Sequence, residues 1–157
     1  MSDYVSDKLN AEAEMYDNSK VVGTIAMTLP ITEAMVDCIL VGAFDGSYGA
    51  CYYWAELNNV IIKKPETPDG FDCWQEVKIT DVVERDEGSG DENVYTINAT
   101  NITEAIQKFL DENQHMANNT ITGYIRRAVQ ENDPGMIDAD AADCIVQVAA
   151  FGSLLYG

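Results

Sequence analysis

A chain of 157 residues and 17.3 kDa, 46% apolar and 23% charged, has the size and composition of one folded domain. Its 27 acids against 9 bases leave a formal charge of -18 and a pI near 4.1. That balance argues against direct binding to nucleic acid or anionic membrane, because phosphate affinity comes from cations that release counterions. It favours basic protein surfaces, with association steered by charge.

Residues 1–19 are polar and acidic, with Val5, Leu9, Met15 and Tyr16 among their few sizeable anchors, and read as an N-terminal tail. The remainder, 20–157, reads as a single domain. The opening residues lack the basic flank and apolar run of a secretory signal, and no stretch nears the roughly 20 apolar residues of a membrane span. The expectation is a cytoplasmic protein.

The stretch 20-KVVGTIAMTL-29 is β-prone and is predicted as the first strand. Pro30 and Thr32-Glu33 then signal a helix start, and Ile31, Ala34, Met35, Cys38 and Ile39 keep helical spacing over 31–43. Asp45-Gly46 ends that helix. A second short helix is predicted from about Tyr48 to Leu57, with Asn58-Asn59 as a turn and 60–64 as a brief strand. Pro65, Pro68 and Gly70 make a loop. Strands follow over 73–83 and 93–99, joined by the hairpin 84-ERDEGSGDE-92. Helices are predicted over 103–113, capped by Asn101 or Thr103, and over 120–132. The final segment, 138–157, carries the strongest helix signal, with Asp138 and Asp140 at its start. Gly152 in its apolar stripe suggests close approach of another backbone. The fold class is α+β: a small antiparallel sheet of three to four strands, packed with four to five helices.

Little here resembles catalytic machinery. Cys38, Cys51, Cys73 and Cys144 form no Cys-x-x-Cys pair, and His115 is the only histidine. The thiols read as buried structural groups, and no catalytic residue, metal or cofactor is expected. Asp138, Asp140 and Asp143 could be a metal cluster, but helix capping explains the first two more economically.

The acids carry the sharper reading. Residues 66–92 hold ten acids against two bases. Such a face can occupy a phosphate-binding groove in a restriction, CRISPR or repair protein, imitating DNA or RNA. Solubility and salt adaptation are the competing explanations. The expected partner contacts are Glu76, Asp81, Glu84, Asp86, Glu87, Asp91 and Glu92, supported by Asp45, Trp54 and Glu56 at the glycine-rich 44-FDGSYGACYYWAEL-57 corner. That corner has two other readings: a packed turn between helices, or a ligand or catalytic pocket using Asp45 and Glu56 beside Tyr48, Tyr52 and Trp54.

Two segments resemble a family of small acidic phage proteins. The block 43-AFDGSYGACYYWAE-56 is similar to the family's glutamate-glycine-glycine then tyrosine-tryptophan element. The closing 138-DADAADCIVQVAAFGSLLYG-157 is similar to its last helix, with Gln147, Phe151-Gly152 and Tyr156-Gly157 in matching order. The chain departs at Asp45, where the family usually has glutamate, and at Ser47, which separates the glycines. The family has no settled activity, so the resemblance implies a phage or prophage origin and, with it, a host-directed inhibitor in the host cytoplasm. A phage structural or assembly protein, self-associating through the Gly152 helix, is the alternative.

Overall fold

The computed structural model describes residues 19–46, 49–83, 93–111 and 114–157. Among them the architecture is α+β, with a three-stranded antiparallel sheet and four helices. Helix α1 (Glu33–Phe44) comes first, then β1 (Ala55–Lys63), β2 (Cys73–Asp81), β3 (Val94–Asn98), α2 (Ala99–Leu110), α3 (Asn119–Glu131) and α4 (Ala139–Phe151). A 3-10 turn, Pro134–Met136, links α3 to α4.

Short polar side chains start each helix by accepting otherwise unpaired backbone N–H groups. Thr32 accepts from Met35, Asn118 from Ile121 and Asp138 from Ala141. At α2 the cap is Asn98 rather than Asn101 or Thr103; Asn101 returns the bond to the Asn98 N–H, closing a capping box. The helix therefore starts four residues before the predicted Thr103.

The sheet runs β1-β2-β3, with Ala55 opposite Asp81 and Thr80 opposite Val94. Val77, Ile79 and Ile97 face the helices and are fully buried. The alternate residues, Glu56, Asn59, Lys78, Thr80 and Thr96, share the other face, as an antiparallel sheet with one wet side requires. Helix α4 sits at the centre of the helical layer and meets α1, α2, α3 and β3. It packs on α1 at Gly42, where a side chain would lie 3.6 Å from the Ala142 methyl.

Four expectations give way. Residues 20–29 form no strand and join no ladder among the described residues, and Val21, Val22, Ile25 and Met27 stay exposed. Residues 49–54 form turns, and Ala55–Leu57 already belong to β1, so no helix covers that stretch. A register shift between Leu57 and Asn59 absorbs Asn58-Asn59 as a bulge inside the strand, where a turn was predicted. Gly152 does not mark a helix crossing. It is the C-cap of α4, at φ 79, and a side chain there would stand 3.4 Å from Lys108 Nζ.

Candidate functional site

The glycine corner and the closing helix meet, and one carboxylate joins them. After α1 the chain turns back so that Ala50 and Cys51 donate to the carbonyls of Gly42 and Ala43, at 3.0 Å each. Two further turns deliver Trp54, which is completely buried. Its ring stacks on Tyr156 at 5.7 Å and meets Phe151 at 5.2 Å.

Asp143, in the second turn of α4, accepts the Trp54 indole N–H at 2.8 Å, the Tyr53 hydroxyl at 2.6 Å and the Gln147 amide at 3.0 Å. The Cys51 thiol approaches it at 3.4 Å. Gln147, one turn later and 1% exposed, passes the connection on. Its Oε1 accepts from the N–H groups of Leu155 and Tyr156, and its Nε2 donates to the Tyr156 carbonyl. The Tyr156 hydroxyl then donates to Asp81 at 2.7 Å. One chain of bonds thus ties the corner, the helix, the C-terminal residues and the end of β2 together.

The chemistry of this cluster opposes nucleophilic catalysis. Burial first, and then the neighbouring Asp143 carboxylate, push the Cys51 thiol far above its ordinary value. Tyr53 is raised for the same reasons. Burial and the acids of α4, led by Asp143, lift Cys144 to about 11. Cys38 and Cys73 are raised as well, again chiefly by burial. A reactive cysteine needs a positive neighbour that stabilises the thiolate; the charged groups that act on Cys51 and Cys144 are carboxylates, which favour the protonated thiol.

Native protein at neutral pH is therefore expected to react slowly with a thiol reagent, and the unfolded chain quickly. Because the folded pKa of Cys144 is raised from 9.0 to about 11, its contribution to stability is complete below pH 9 and is lost as pH rises through about 11. Denaturation midpoints measured from pH 7 to 11 should fall above pH 9, and less so in Cys144→Ala.

The residues expected to contact a partner do not form one patch. Trp54 and Asp81, at 0% and 2% exposure, are part of the interior lock and present no surface to a partner. Asp81 follows Val77 and Ile79 on the core side of β2, whereas Glu76 alternates to the opposite face, beside Ile61 and Asn98. Residues 84–92, with Glu84, Asp86, Glu87, Asp91 and Glu92, lie outside the described residues. The strand ends that bound them, at Asp81 and Val94, are at the same end of the sheet as Ala55 and the glycine corner. Glu66, Asp69 and Asp72 are exposed in the β1–β2 loop at the other end, about 26 Å away along a nine-residue strand.

At the corner end, Asp45 and Glu56 are exposed, and so are Tyr52 and Tyr53. The two rings meet edge to face at 6.5 Å. Val83 and Val94 are also exposed there. Composition alone did not distinguish these outward tyrosines from Trp54. The recess beside Tyr52, bounded by Phe44, Gly49 and Leu57, holds only about 110 Å³, against the roughly 300 Å³ at which small-molecule pockets begin.

Among the described residues, no group of three or more His, Cys, Asp or Glu side chains stands close enough to hold a metal, and no helix is long and apolar enough to cross a membrane. Asp138 caps α4, and Asp143 serves the Trp54 lock. Comparison of the chain with family models, curated proteins and solved structures finds no match.

Proposed function

We propose that the protein acts by binding: a phage-type acidic inhibitor that occupies the nucleic-acid groove of a basic host defence protein, of the CRISPR or restriction kind, as a mimic of DNA or RNA. The observation that carries this reading is the exposed Tyr52–Tyr53 pair beside Asp45 and Glu56, at the sheet end where the acidic 84–92 segment attaches, on a chain of charge -18. Rigid aromatics ringed by charge are the usual anchors of a protein interface. The carboxylates supply attraction to a groove built for phosphates, and the aromatics supply the dry contact that charge alone lacks.

The proposed contacts are Asp45, Tyr52, Tyr53 and Glu56 with Glu84, Asp86, Glu87, Asp91 and Glu92. The test is capture of nucleic-acid-binding nucleases from a defined host panel at low salt. Binding should weaken with added salt and yield to competing duplex DNA or RNA. Charge reversal of Glu84, Asp86, Glu87 and Asp91 is expected to abolish capture, and Tyr52→Ala to weaken it about tenfold, the scale of a modest interface anchor. Reversal of Glu66, Asp69 and Asp72, at the opposite end, should leave capture intact. The reverse pattern would move the interface to the β1–β2 loop, and capture insensitive to both sets would remove the mimicry reading.

A further inference from the structure

A cavity of about 420 Å³ lies where the first turns of α1 and α2 meet the β1–β2 pair, within the roughly 300–1,000 Å³ range of small-molecule sites. It is distinct from the glycine corner: Ile61 and Trp74 belong to the half of the sheet that ends in the β1–β2 loop.

An irregularity in β2 builds its wall. A regular strand sends successive side chains to opposite faces, yet Trp74, Gln75 and Glu76 all line this cavity. The cause is a bulge. Ile61 pairs with Glu76 and Ile62 with Trp74, so Gln75 has no opposite residue on β1. Bulges re-aim side chains, and they recur beside active sites for that reason.

Ile31, Val36 and Ile61 supply apolar wall, and Trp74 supplies an aromatic one. The two tryptophans are used differently. The Trp54 indole is buried and donates to Asp143, whereas Trp74 is half-buried and its indole N–H donates to nothing among the described residues.

The charge of the lining is negative. No Lys or Arg borders the cavity, and two carboxylates do. Glu33 is occupied, with Lys63 Nζ at 3.2 and 3.1 Å from its two oxygens. Glu76 is only half occupied. Its Oε2 accepts from the Asn98 amide at 3.2 Å, and its Oε1 has no partner among the described residues. Two helices begin at the rim, but this does not make an anion site. Thr32 and Asn98 already accept N–H groups of those first turns, and Glu76 repels an anion.

We propose that this cavity binds a small organic cation, a primary ammonium on an apolar body. The charge is held by the Glu76 carboxylate and the Trp74 ring, and the body lies against Ile31, Val36 and Ile61. An indole face attracts a cation through its quadrupole, and a carboxylate adds a charge-assisted hydrogen bond.

The inference is independent of the docking proposal, whose contacts are at the other end of the sheet, and either can fail alone. The test is titration of the isotope-labelled full chain with phenethylamine, followed by amide and indole NMR. The neutral and anionic matches are 2-phenylethanol and phenylacetate. Saturable shifts are expected at the Trp74 indole and the Glu76 amide, with the amine bound about tenfold more tightly than the alcohol. Phenylacetate should not bind. Glu76→Gln retains an acceptor for Asn98 and should remove the preference for the amine while leaving the alcohol unchanged. Trp74→Leu keeps apolar bulk and should weaken the amine more than the alcohol. Glu131→Gln, at an exposed position on α3 outside the lining, should change neither. Equal affinities for amine and alcohol overturn the inference, as does a preference that survives Glu76→Gln. So do shifts that spread over the acidic surface without saturating at Trp74 and Glu76.

Discussion

Asp143→Ala is expected to lower the stability of the fold by about 3 kcal/mol, an effect far outside the usual ±0.5 kcal/mol of an exposed helix substitution. Asp143 is the shared acceptor of Trp54, Tyr53 and Gln147. The decisive loss is at Trp54, whose indole N–H is buried with its ring and has no water to turn to. Hydrogen bonds to a charged acceptor contribute about 1.5–3 kcal/mol, and stranding a buried donor costs a similar amount. Tyr53, being partly exposed, recovers solvent. Gln147 keeps the Tyr156 carbonyl but loses the carboxylate that orients it. On a chain of this size, about 3 kcal/mol corresponds to a fall of roughly 10 °C in the thermal midpoint. Asp143→Asn retains one acceptor oxygen and should cost about 1 kcal/mol. Urea unfolding followed by tryptophan fluorescence reads both. Equal midpoints for wild type and Asp143→Ala would mean that the network contributes no net stability.

Much of the fold was legible, and the failures have physical causes. The caps at Thr32 and Asp138 and the alternation of β2 follow from local chemistry, and the structure keeps them. The helix expected from about Tyr48 to Leu57 is absent among the described residues of that stretch. What decides it is not local: the backbone at Gly49 lies against the last turn of α1, and the Trp54 ring is buried by residues about ninety positions later. Residues 20–29 are β-prone in sequence yet form no strand among the described residues, because propensity does not supply a partner strand.

Part of the missed lock was visible in spacing. Asp81 continues the Val77, Ile79 alternation onto the buried side of β2, which argues against a surface role for that carboxylate. Asp143 and Gln147 are four apart on an apolar helix, so both point to one place. What spacing could not tell was that Trp54 waits there. The described acids of 66–83 are divided by the length of β2, with Glu66, Asp69 and Asp72 in the loop before it and Asp81 at its far end, because antiparallel strands send successive loops to opposite ends of the sheet.

Gly49→Ala is expected to be the other severe substitution, costing about 3 kcal/mol, at the upper end for an overpacked site. A methyl at this position would lie 2.6 Å from the Ala43 carbonyl oxygen and 2.8 Å from the Phe44 Cα. Both are backbone atoms of the last turn of α1, so no side-chain rotation relieves the contact. Either the helix end or the returning chain must move. Moving the chain breaks the bonds from Ala50 and Cys51 that hold it there, and displaces the Trp54 turn from Asp143. Gly152→Ala makes the instructive contrast. Its φ of 79 strains any side chain, but the nearest atom, at 3.4 Å, is the mobile end of Lys108. About 1 kcal/mol is expected there, the usual cost of a left-handed residue. The two variants also differ in what they disturb. Gly152→Ala should leave the tryptophan fluorescence of the native state unchanged. Gly49→Ala should shift it to the red even before unfolding, because the corner that fails is the one that seats Trp54. If the two variants unfold at the same urea concentration, the close approach at Gly49 is relieved by a backbone adjustment, and the corner is less rigid than its contacts require.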